Sequence, residues 1–96
     1  MYLKKFRWGP WTEGEELLNA LQRGFIPAAY EYVLRTGDRE EVKRTVLKLL
    51  GSPLESRVRR RLLWLLKIVD RITFLDRGDG WIMVLIPGKV IGWIRR

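Results

Sequence analysis

Arg57, Arg59, Arg60 and Arg61 crowd into one short stretch of the chain, and Trp64 and Lys67 follow them. A guanidinium is a planar fork of N–H donors, shaped to grip a phosphate or the O6/N7 edge of guanine. If this stretch is helical, residues three and four apart share a face, so Arg57, Arg60, Arg61, Trp64 and Lys67 point the same way. Arg59 and Leu63 flank that face. In a helix laid into a groove, positions near its N-terminus reach base edges. That selects Ser56, Arg57, Arg60 and Arg61 as the base-facing set, with Lys67 farther along. Lys43, Arg44 and Lys48 form a second basic group suited to phosphates, and Arg77, within a turn, is a third element of the same kind. The plain alternative is a solvated face, with Glu55 and Asp70 pairing part of the cluster. For Lys43, Arg44 and Lys48 that alternative has at least equal weight.

Composition removes much other chemistry. The 96 residues contain no Cys and no His. Disulfides, Cys/His zinc sites and catalysis by cysteine or histidine are thereby excluded. Asp76 and Asp79 read as turn residues, not metal ligands, and Gly78-Asp79-Gly80 lacks the lysine and following helix of a phosphate loop. We expect no enzymatic activity, no cofactor and no small-molecule ligand. The 19 Lys+Arg against 11 Asp+Glu give a net charge of +8. Such an excess suits a polyanion, above all nucleic acid, with an anionic membrane surface or a hyperthermophile's general richness in Lys and Arg as alternatives. No run approaches the ~18 apolar residues of a membrane span, and the first residues lack the apolar core of a signal peptide, so an intracellular, cytoplasmic location is expected. Asn19 and Gln22 are the only residues of their types, which fits avoidance of heat-labile side chains.

The elements that must position these residues are marked by punctuation. Residues 2–8 could form an edge strand or ordered arm, halted by Gly9-Pro10. Thr12-Glu13-Gly14-Glu15 has the form of a capping box, predicting a helix over 13–23 closed by Gly24. Pro27 suits the first position of a second helix ending at Gly37, with Ala28, Tyr32 and Val33 at helical spacing. Asp38 to Glu41 is another capping box. It opens a third helix whose Val42, Val46, Leu49 and Leu50 form a stripe for burial, and Gly51 ends it. Ser52-Pro53-Leu54-Glu55 combines an N-cap, an N1 proline and an N3 glutamate, predicting a fourth helix over 53–70 with Leu54, Val58, Leu62, Leu65, Leu66 and Val69 inward. Beyond it the period becomes strand-like: 72–75, a turn at 76–80, 81–86, a Pro87-Gly88 turn, then 89–94. The last two strands are apolar on both faces, so a second cover is required: the N-terminal segment, a partner protein or a second copy.

A helix ending at glycine, a turn, an arginine-rich helix and a β-hairpin follow one another over residues 36–85. That order resembles the winged helix-turn-helix superfamily, including small regulators of archaea and their viruses. The resemblance is carried by the Leu47–Leu50–Gly51 helix end, by Val58-Arg59-Arg60-Arg61-Leu62-Leu63-Trp64-Leu65-Leu66 and by Phe74-Leu75-Asp76-Arg77-Gly78-Asp79-Gly80-Trp81. Val58 falls one residue later than the commonest spacing, implying a longer turn. Leu47 stands where many members have alanine, implying a looser helix approach. The resemblance implies one mostly helical α+β domain over 1–96: an arm and helices at 1–37, the helix-turn-helix at 38–70, and a wing with C-terminal strands (a hairpin or three-stranded meander) at 71–96. It implies double-stranded DNA binding by a transcriptional regulator, with helix 53–70 in the major groove and the 76–80 wing on the backbone. A homodimer is expected, held by the C-terminal strands or the N-terminal helices. The alternative is a winged-helix interaction module that binds protein through its apolar strands.

Overall fold

Local hydrogen bonding decides where most of the helices begin and end. The structure is a computed structural model that describes residues 13–96. Helices α1 (Glu13–Gln22), α2 (Pro27–Thr36), α3 (Arg39–Leu50) and α4 (Ser56–Ile68) are followed by a 3₁₀ turn, Val69–Arg71. Three strands complete the described chain: β1 (Thr73–Asp76), β2 (Trp81–Ile86) and β3 (Lys89–Arg95). The fold is α+β, with four helices among the described residues and then an antiparallel sheet in the order β1-β2-β3. The expected arm at 2–8, Trp8, Trp11 and the capping Thr12 lie outside the described residues.

Pro27 opens α2, as its fixed φ and missing N–H favour, and Gly37 closes it at φ 72°. The carboxylate of Asp38 accepts the Glu41 N–H at 3.1 Å, so the expected capping contact starts α3. The fourth helix departs from expectation: it begins at Ser56, not Pro53. Ser52 turns back, its hydroxyl donating to the Leu49 carbonyl at 2.7 Å instead of capping the amides ahead. Glu55, extended at φ −60° and ψ 146°, occupies the N-cap with no side-chain cap bond. The orphan carbonyls that end α3 compete for the serine and win. The α-helix also stops at Ile68, its expected last residues forming the 3₁₀ turn.

The core lies where the helices meet one face of the sheet. Leu17, Leu21, Leu62, Leu65 and Val46 are fully buried, joined by Ala29, Tyr30 and Val33 of α2 and by Val84 and Ile94 of the sheet. The expected stripes of α3 and α4 are the buried ones, with Leu50, Leu54 and Leu66 at their margins. Leu47 is 58% exposed, so its side chain does not sit between helices, and the looser approach read from it does not apply. Gly92 lies on the inner face of β3, where an added Cβ would stand 3.2 Å from the Tyr30 ring. Its bareness lets that ring close over the sheet.

Strand pairing aligns Phe74 with Val84, Val84 with Gly92 and Ile82 with Ile94 on the inner face. A register shift between Val84 and Leu85 changes the parity of β3. Ile91 is thereby an extra residue packed on the core, while Val90 pairs with Leu85. Because the core is closed around α4, replacing Leu62 by alanine should lower unfolding stability by roughly 2–5 kcal/mol, read from a denaturant titration.

Candidate nucleic-acid interface

Burial of Val58, Leu62 and Leu65 fixes the roll of α4. Its sequence, SRVRRRLLWLLKI, contains five cations and no carboxylate. Of these, Arg57, Arg60, Arg61 and Lys67 are exposed, as is Ser56 at the helix start. Arg57, Arg60, Arg61 and Trp64 together line one shallow, open depression. Trp64 is 37% exposed, so its indole belongs to this face and not to the core.

The three consecutive arginines have three different situations. Arg59 turns away from the depression. Its guanidinium donates to the carbonyls of Leu50 at 3.2 Å and Ser52 at 3.1 Å. It thus satisfies carbonyls at the end of α3 and fastens the turn that leads into α4. Arg61 donates one N–H to the Gly24 carbonyl at 3.2 Å, tying α4 to the turn between α1 and α2. Gly24 permits the approach: it sits at φ 81°, and a Cβ there would meet Val58 at 3.3 Å and Arg61 at 3.4 Å. Arg60 has no ion pair or hydrogen bond among the described residues. Arg57 stands 3.8 Å from Glu55, with both side chains more than 70% exposed, a pairing of little energetic weight. The depression therefore keeps its positive field.

The basic group on α3 is in a different state. Lys43 contacts Asp70 at 2.7 Å and Glu40 at 3.1 Å. These hydrogen bonds, Asp70's first, hold its ammonium above the ordinary lysine pKa. Arg44 contacts Glu41 at 2.7 Å, which raises its pKa likewise. Asp70 thus neutralises Lys43 and not the α4 arginines. Arg44 and the exposed Lys48 line a separate, smaller hollow with Leu18, Glu41 and Thr45. Phosphate contact by Lys43 or Arg44 would have to compete with carboxylates already in place.

Arg77 stands at the 76–80 turn, away from the α4 depression and lining a different hollow with Asp79, Trp81 and Trp93. The turn is built by its aspartates: Asp76 accepts the Gly78 N–H at 2.9 Å and Asp79 the Trp81 N–H at 3.2 Å. Gly78 and Gly80 take positive φ, as the turn requires. Among the described residues no group of three or more His, Cys, Asp or Glu could hold a metal. No described helix is long and apolar enough to cross a membrane. The tethering roles of Arg59 and Arg61 were not visible in the sequence, because their partners are backbone carbonyls in other elements.

Comparison with known proteins finds no family model, no curated protein and no solved structure that this chain matches.

The three arginine situations predict different phenotypes. Arg59→Ala should lower stability by about 1–2 kcal/mol by stranding part-buried carbonyls. Arg60→Ala should leave stability within about ±0.5 kcal/mol in the same thermal or denaturant assay.

Proposed function

We propose that this chain binds double-stranded DNA as a transcriptional regulator, with α4 in the major groove. The observation that carries the reading is the exposed face of α4. There Arg60 and Lys67 have no carboxylate partner among the described residues, Arg57 has only the loose one of Glu55, and Arg61 shares the same depression. A helix of this width fits the major groove, and its arginines are the side chains best shaped for guanine edges and phosphates. Ser56, Arg57 and Arg60, near the helix start, are the base-facing candidates.

The order of elements supports the same reading. A helix, a fastened turn, a basic helix and then a strand–turn–strand unit is the sequence of parts in a winged helix. In that frame the 76–80 turn is the wing, and Arg77 meets the sugar-phosphate backbone. Lys48 is the α3 cation most available for a further phosphate contact, since Lys43 and Arg44 are engaged by carboxylates. Arg61 divides its fork between the Gly24 carbonyl and the groove.

Binding of this kind displaces counterions. The logarithm of the association constant for a random duplex should fall linearly with log salt, at roughly −0.9 per phosphate neutralised. The pair of changes Arg57→Ala and Arg60→Ala should weaken duplex binding by about 1–3 kcal/mol for each bidentate arginine–base pairing removed, with melting nearly unchanged. With no histidine in the chain, affinity should stay flat between about pH 6 and 8. A salt-independent affinity, or none at low salt, would overturn the reading.

A further inference from the structure

The outer face of the sheet carries a second arrangement of aromatic and cationic groups, on different elements from α4. The register sets Trp81 opposite Arg95 and Met83 opposite Trp93. The two indoles therefore share one face as diagonal neighbours on adjacent strands, a separation of about 7–8 Å between Cα atoms that large rings can span. Leu75 pairs with Met83, and Val90 with Leu85, on the same face. Leu75 is 51% exposed, while Val90 and Trp93 are each 43% exposed.

Each indole has a guanidinium beside it. The Arg77 Cζ lies 5.9 Å from the centroid of Trp93, and the Arg95 Cζ lies 5.3 Å from that of Trp81. Arg77, Asp79, Trp81 and Trp93 line a single open hollow at the turn end of the sheet. The neighbouring carboxylates are largely spoken for. Asp76 pairs with Arg96 and accepts the Gly78 N–H, and one oxygen of Asp79 accepts the Trp81 N–H.

We propose that this hollow binds single-stranded nucleic acid, its bases stacking on Trp81 and Trp93 while Arg77 and Arg95 meet the phosphates. The charge pattern selects that occupant. A second copy laid on this face would bring arginine-flanked indoles against their own kind, on a chain whose net charge is +8. A single strand offers flat π-faces and one negative charge per nucleotide, which is the alternation of indole and guanidinium seen here. Met83, opposite Trp93 and two residues along β2 from Trp81, extends the same face with apolar surface. The second oxygen of Asp79 can accept from an exocyclic amine at the rim. This assignment does not depend on the duplex reading of α4.

The test is fluorescence anisotropy with a labelled oligodeoxythymidylate of about a dozen nucleotides, at low salt. Trp93→Ala should weaken binding about ten-fold or more, and Trp93→Phe, which keeps a π-face, should hold it within about three-fold of the parent. Both variants should keep the parent's circular dichroism, since the side chain is largely outside the core. Arg57→Ala with Arg60→Ala should leave oligothymidylate affinity within about two-fold while lowering duplex affinity, which separates failure of one site from failure of the other. The proposal is overturned if the parent does not bind the oligonucleotide, or if Trp93→Ala binds it as the parent does. It is equally overturned if sedimentation shows a dimer that Trp93→Ala converts to monomer, since a second copy would then occupy the face.

Discussion

Burial of the Val58–Leu62–Leu65 stripe of α4 is the constraint on which the rest of the molecule depends. Leu62 and Leu65 have no exposed surface, and the core of α1, α2, α3 and the sheet closes around them. A helix has only one way to hide such a stripe, so the same burial that stabilises the fold rolls the arginines outward. Fold and candidate interface are two consequences of a single orientation. The cations of this carboxylate-free helix, Arg59 apart, stay exposed because its other face is anchored apolar surface.

Anchoring the roll does not fix where the helix begins. That is the task of backbone carbonyls and two guanidiniums. Arg59 gathers the Leu50 and Ser52 carbonyls, and Arg61 reaches the Gly24 carbonyl, so the turn before α4 and the turn after α1 are both fastened to it. Arg39 does the same at the other end, donating to the Val69 carbonyl at 2.7 Å. These contacts use arginine as a structural fork. They also thin out the arginine cluster, leaving Arg57 and Arg60 as its least encumbered members.

Much of the fold is legible in the sequence because its signals are local. The Asp38 cap, Pro27, Gly24 and Gly37 act through bonds and torsions within a few residues, so they locate the first three helices closely. The stripes of α3 and α4 are equally legible from period alone. The start of α4 is not, because Ser52 has two possible partners and the choice between them depends on carbonyls at the end of α3. The sequence sets Arg59 at the flank of the arginine face and Arg60 with Arg61 on it, while the structure makes them a tether, an open cation and a shared one. Both-sided apolarity of the strands is visible in the sequence. The meeting of Trp81 and Trp93 on one face is not, because it follows from strand register.

In the proposed function, duplex DNA meets the outward face of α4. The most direct measurement is a map of backbone amide chemical-shift changes on adding a short duplex. The largest changes should cluster at the start of α4, from Ser56 to Trp64, with a second group at Arg77 to Gly80. Changes confined to the outer face of β2 and β3, with α4 silent, would contradict it.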